Sequence, residues 1–116
     1  MARMTIYQKP TCITCRKVLK LLDERCYPYT TVNYYETPLT KTKLKTLLKK
    51  GGLHPKDVLR THEAIYKTLG LARADKTEEE LLDLLVQYPD LLQRPLVEHG
   101  GTVILARPPE RVLTIL

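Results

Sequence analysis

Two cysteines three residues apart, set between a strand-like segment and a helical one, constrain this chain more than any other feature. They lie in Lys9-Pro-Thr-Cys-Ile-Thr-Cys-Arg16. Met4-Thr-Ile-Tyr7 mixes β-branched and aromatic residues, as short strands do. Beyond the cysteines, Cys15, Val18, Leu19, Leu22 and Cys26 fall at i, i+3, i+4, i+7 and i+11, one face of an amphipathic helix. That helix is expected to end near Arg25, because Tyr27-Pro28 prevents its continuation. The first free amides of a helix favour negative charge. A helix N-terminus or a C-x-x-C arrangement lowers a thiol pKa from ~8.5 to roughly 3.5–7.5, and the thiolate is the reactive form. A thiol-based enzyme is therefore expected. Cys26, on the same apolar stripe, reads as a buried core thiol.

The rest of the chain supplies the frame. Tyr29-Thr-Thr-Val-Asn-Tyr-Tyr35 reads as a second strand, and strand, helix and strand make a βαβ unit with parallel strands and a right-handed crossover. Glu36 to Thr40 is a loop, Thr40 can cap a Lys-rich helix, and Gly51-Gly52 ends it. Short helices follow: one opened by Pro55, one from Ala64 to Leu69 stopped by Gly70, and one behind the capping box Thr77-Glu-Glu-Glu80, ended by Pro89. Pro95-Leu-Val-Glu98, the turn His99-Gly-Gly101 and Thr102 to Ala106 predict a hairpin. Pro108-Pro109 then opens a last helix through Val112, Leu113 and Leu116. The order is βαβ, a helical insertion over about 40–90, then ββα, within a single α/β domain over 1–116.

Composition narrows the partners. A chain of 116 residues holds one core. No apolar run approaches the ~20 residues that span a bilayer, so no membrane partner is expected. Met-Ala-Arg-Met leads straight into a strand without a signal-peptide apolar region, and the cytoplasm is the expected compartment. Thiols stay reduced there, so C-x-x-C reads as catalytic or metal-binding rather than as a structural disulfide. Zinc would need two more ligands at suitable spacing, and Cys26, His54, His62 and His99 are scattered; no metal is expected. The net charge of +6 suits an anionic partner. Lys41, Lys43, Lys45, Lys49 and Lys50 read as the solvated side of a helix whose other face carries Leu44, Leu47 and Leu48. No aromatic-interleaved basic motif accompanies them, so nucleic acid is not expected. A monomer is the default.

Five collinear stretches then carry a resemblance: Tyr7-Gln-Lys-Pro-Thr-Cys12, Tyr35-Glu-Thr-Pro38, Leu59-Arg60 with Leu69-Gly-Leu71, Leu91-Leu-Gln-Arg-Pro-Leu96, and Leu105-Ala-Arg-Pro108. Together they resemble the glutaredoxin-dependent arsenate reductase (ArsC-type) family over nearly the whole chain. The resemblance implies a thioredoxin-like (glutaredoxin-like) fold with a mixed four-stranded sheet. It implies Cys12 as the active thiol, and Arg60, Arg94 and Arg107 as binders of arsenate or another small oxyanion. It implies a cis bond before Pro95, facing the cysteine loop. No cofactor is implied as bound; glutathione is the implied co-substrate, with glutaredoxin or thioredoxin as partner. Arginine suits an oxyanion beside a thiolate because its planar fork binds bidentately and stays protonated.

Two features depart from the family's usual pattern. Gln8-Lys9 stands where a His-Asn pair is common, which leaves Lys9 or Arg16 to lower the Cys12 pKa by charge. Cys15 adds a second thiol, and two roles stay open for it: a structural helix residue, or a resolving thiol that closes a disulfide with Cys12. Two other functions also stay open, an Spx-like redox regulator that binds RNA polymerase, and a general thiol-disulfide or deglutathionylating reductase.

Overall fold

The computed structural model describes residues 3–116. Two compact units divide the chain: residues up to Pro38 together with Arg94–Leu116, and Leu39–Gln93.

The first unit holds the sheet. Its strands are β1 (Met4–Gln8), β2 (Tyr29–Asn33), β3 (Leu96–His99) and β4 (Thr102–Leu105). They lie in the order β2-β1-β3-β4. β1 runs parallel to β2, with Met4 opposite Tyr29 and Gln8 opposite Asn33. β1 is antiparallel to β3, with Tyr7 opposite Leu96. β3 and β4 form the expected hairpin, and Gly100 takes φ +64° in its two-residue turn, where a side chain would be strained. This is the mixed four-stranded sheet of the thioredoxin-like plan.

Helix α1 (Ile13–Glu24) joins β1 to β2. Met4 and Ile6 of β1, Val97 of β3, Val18 and Leu22 of α1, and Ala106 and Val112 beyond the hairpin close one core. The alternation in β1 is what turns Met4 and Ile6 to the same face. Burying such a side chain stabilises the fold by roughly 1.5–3 kcal/mol.

Three local expectations are corrected here. β2 stops at Asn33, not Tyr35, because Asn33 bends the chain: its Oδ1 accepts from the Tyr35 amide at 3.0 Å, and its carbonyl from the Glu36 and Thr37 amides at 3.1 and 2.9 Å. Cys26 is exposed, not a core thiol. The Cys26 amide donates to the Asp23 carbonyl and the Tyr27 amide to Leu22, each at 3.0 Å, while Cys26 takes φ +50°. That is a Schellman end, usually made with glycine. It swings Cys26 off the helix axis before the apolar stripe can bury it. The segment opened by the C-terminal prolines, Pro109–Ile115, winds as a 3₁₀ helix, with Val112 buried.

The second unit is helical. It comprises α2 (Lys41–Lys50), a 3₁₀ turn at Pro55–Val58, α3 (Ala64–Thr68), α4 (Glu78–Gln87) and a 3₁₀ turn at Pro89–Leu91. Thr40 Oγ1 caps α2 by accepting from the Lys43 amide at 3.1 Å. Thr77 and Glu80 form the expected capping box on α4. Leu44, Leu47 and Leu48 of α2 and Leu82 and Leu85 of α4 are buried. The lysines take the outer side: Lys41 pairs with Glu79 and Asp83, and Lys45 with Glu79, at 2.9–3.0 Å. No helix among the described residues is long and apolar enough to cross a membrane.

Candidate active site

Cys12 is the N-cap of α1, with extended backbone at φ −75° and ψ 125°. Its own amide donates to the Lys9 carbonyl at 2.9 Å, which closes the turn through Pro10 and Thr11. Its sulfur then accepts from the Cys15 amide at 3.4 Å. Helix α1 therefore starts at Ile13, two residues before Cys15, with the thiol itself as the capping group. Its first turn contains no acidic residue, so its positive end is not neutralised locally.

Arg94 supplies the charge. Its side chain is 6% exposed, and Nη1 donates to the Tyr35 hydroxyl at 3.3 Å. Arg94 Nε is buried without a hydrogen-bond partner. The guanidinium also lies near enough to the Cys12 sulfur to favour its ionised form. Burial pushes the Cys12 thiol up, but the Cys15 amide, the Cys15 thiol and the Arg94 guanidinium outweigh it and hold Cys12 below the usual thiol value. Charge from Lys9 or Arg16 was the alternative; the cation that meets the sulfur is Arg94, while the Lys9 ammonium sits over the Tyr35 ring, 4.7 Å from its centroid.

Cys15 is fully buried on the α1 face that meets the core. Burial and its hydrogen bond to Cys12 push its thiol up to about 12. At neutral pH it is therefore a protonated donor to its neighbour's sulfur. The pair is asymmetric: one exposed enough to react and shifted toward easier ionisation, the other enclosed and held as the thiol.

Arg107, half-buried just past β4, donates from Nη1 to the Arg94 carbonyl at 3.0 Å. It thereby braces the backbone from which the Arg94 side chain projects. The Arg94–Pro95 and Arg107–Pro108 peptides are both cis. The structure thus gathers Cys12, Cys15, Arg94, Arg107 and Pro95 in the sheet unit. Arg60 belongs to the helical unit, where its Nε and Nη2 bond Glu63 Oε1 at 3.0 and 2.9 Å and its amide donates to the Leu91 carbonyl at 2.7 Å. Among the described residues no three His, Cys, Asp or Glu side chains gather as a metal-holding group.

Sequence reasoning missed two contributors. Tyr35 reads from the sequence as a strand former and as part of the Tyr35-Glu-Thr-Pro38 stretch, with no site role, yet it accepts from Arg94. Gln8 is 6% exposed at the end of β1, and its Oε1 is buried without a partner. The sequence marks Gln8 only as a departure from the family's usual pattern, not as a buried amide.

The comparisons with known proteins agree with this geometry. The ArsC family pattern matches residues 7–115. The chain is 37% identical to the uncharacterized protein YfgD of Escherichia coli K12 over 98% of its own length and 97% of that protein. It is 36% identical to an arsenate reductase of the same organism, over 100% of this chain and 82% of that one. An arsenate reductase structure from Vibrio cholerae superposes with a TM-score of 0.92 at 32% identity, covering 99% of this chain and 98% of the other. Sequence, sheet order and a cysteine-capped first helix converge on one conclusion: the chain belongs to the ArsC family.

Proposed function

We propose that this chain is an arsenate reductase-like thiol oxidoreductase in which Cys12 is the nucleophile. One observation carries the reading: the Cys12 sulfur caps α1 while the Arg94 guanidinium lies against it. A helix N-terminus and a buried arginine both stabilise the thiolate and the oxyanion it attacks. In the proposed sequence the thiolate forms a bond to arsenic and an arsenate oxygen departs as water after protonation. A glutathione thiolate then attacks the Cys12 sulfur. The S–As bond breaks, two electrons pass to arsenic, arsenite leaves, and Cys12 is left in a mixed disulfide with glutathione. Glutaredoxin and a second glutathione return it to the thiol. Arg94 and Arg107 are assigned to the oxyanion; Arg60 joins them on its family motif alone.

Cys15 takes the role of hydrogen-bond donor to the resting thiolate, a role supported by its burial and its high thiol pKa. Mass spectrometry after mild oxidation tests this; a Cys12–Cys15 disulfide as the main product would make Cys15 a resolving thiol instead. The function itself is tested by arsenite formation from arsenate with glutathione and glutaredoxin, in parent and Cys12→Ser proteins. Equal turnover in both would sink the assignment. Turnover of a glutathione mixed disulfide without any turnover of arsenate would replace it with general deglutathionylation.

A further inference from the structure

Tyr35 lies just past the end of β2, in the turn that Asn33 holds with its side chain. A half-buried tyrosine there is ordinarily a packing residue. Here its ring meets three neighbours at once. The Lys9 ammonium stands over it at 4.7 Å, Arg94 Cζ lies 6.0 Å from the ring centroid, and Tyr34, itself buried, packs beside it at 5.1 Å with the planes tilted by 32°. Its hydroxyl accepts from Arg94 Nη1 at 3.3 Å. Lys9 is also the residue whose carbonyl closes the cysteine turn, through the Cys12 amide at 2.9 Å. One side chain therefore touches both halves of the site: the loop that carries the sulfur and the guanidinium that faces it. A cation over an aromatic face is attracted by the negative centre of the ring, more strongly where water is excluded.

We propose that Tyr35 is a positioning residue that holds Arg94 and the Lys9 loop in register with Cys12, so that the guanidinium meets the sulfur rather than turning away. The logic is geometric. A flexible arginine side chain loses considerable rotamer freedom when held to one arrangement. The Tyr35 hydroxyl fixes one end of the guanidinium fork, and the Tyr34–Tyr35 pair stands beside it. An anion bound beside Cys12 would then meet a guanidinium already in place. This inference rests on the proposed role of Cys12 and Arg94, but its readout needs no arsenate.

The test is the pH profile of Cys12 alkylation, followed by peptide mass spectrometry in the full-length protein. In Tyr35→Phe, which keeps the ring and loses the hydroxyl, the midpoint moves upward, and the rate below it falls roughly three- to tenfold. Tyr35→Gln, which restores an acceptor without the ring, recovers part of that rate. In an Arg94→Gln background Tyr35→Phe has no further effect, because its influence runs through the arginine. A midpoint that stays put or moves down in Tyr35→Phe overturns the proposal. So does an equal drop in the Arg94→Gln background, which would make Tyr35 a packing residue only. A parent protein that shows these shifts yet reduces no arsenate would overturn the functional reading and leave this one standing.

Discussion

Helices α1 and α4 begin with nearly the same backbone and opposite chemistry. Their N-caps, Cys12 and Thr77, are both extended, with φ −75° and −71°. Thr77 gives its helix a hydroxyl acceptor at 3.2 Å, its own amide donates back to the Glu80 carboxylate, and three glutamates stand in the first turn. Those acids neutralise the positive helix end internally. Cys12 offers α1 only a sulfur at 3.4 Å, and the first turn of α1 has no acid. A neutral thiol is a weak acceptor, whereas a thiolate is a strong one. The cap of α1 is therefore best made when Cys12 is ionised, so local stability and reactivity are coupled at one atom. In the helical unit the same position contributes stability alone.

The largest test of this contrast is Cys12→Ser. Thiol chemistry falls by at least about a thousandfold, while the thermal midpoint holds or rises, because serine is among the favoured N-caps. A variant less stable by more than about 1 kcal/mol would show that the sulfur does more for the fold than a cap should.

Next comes alkaline stability. Cys15 binds its proton more tightly folded than unfolded, so its contribution is complete below the ordinary thiol value of 9.0. It is lost as pH rises toward about 12. Cys12 has the opposite sign: its value is lowered on folding, so its contribution is present above the ordinary thiol value and lost as pH falls through the folded one. Denaturation midpoints across alkaline pH should therefore fall in the parent and flatten in Cys15→Ala; a parallel fall in both would break the asymmetry of the pair.

A smaller effect is expected at the other cap. Thr77→Ala should cost about 1 kcal/mol by denaturant unfolding and leave Cys12 alkylation unchanged. A change in Cys12 reactivity would mean that the two caps are not independent. The smallest effect belongs to the surface of the helical unit. Lys41 and Lys45 hold the Glu79 carboxyl down to about 2, so its contribution is present above the ordinary carboxylate range and fades as pH falls toward that value. Glu79→Gln should lower the melting temperature slightly at low salt and not at all at high salt, since exposed pairs are screened.

Much of this was legible in the linear chain. The 3.6-residue stripe from Cys15 to Leu22, the Thr77-Glu80 box and the glycine turn at Gly100 are short-range signals, because each depends on residues a few positions apart. The element order, the parallel pairing of β1 with β2 and the hairpin were legible as well, since each joins segments close in the chain, whereas the pairing of β1 with β3 was not. Where local competitors decided the outcome, the reading slipped. Asn33 bent β2 two residues early by an Asx turn, and a Schellman end turned Cys26 outward. Nothing in the apolar pattern announces that a cysteine will adopt φ +50°.

The sequence by itself determined the paired thiols, their place at a helix start and the motifs that carry Arg60, Arg94 and Arg107, because those are residue identities and spacings within single segments. Which cation meets the sulfur was decided only by the tertiary structure. Lys9 and Arg16 are near Cys12 along the chain, and Arg94 is far. Antiparallel pairing of β1 with β3 brings Arg94 alongside the end of β1, where burial strips its competing water and strengthens its field on the thiolate. Lys9, adjacent in sequence, is drawn onto the Tyr35 ring instead.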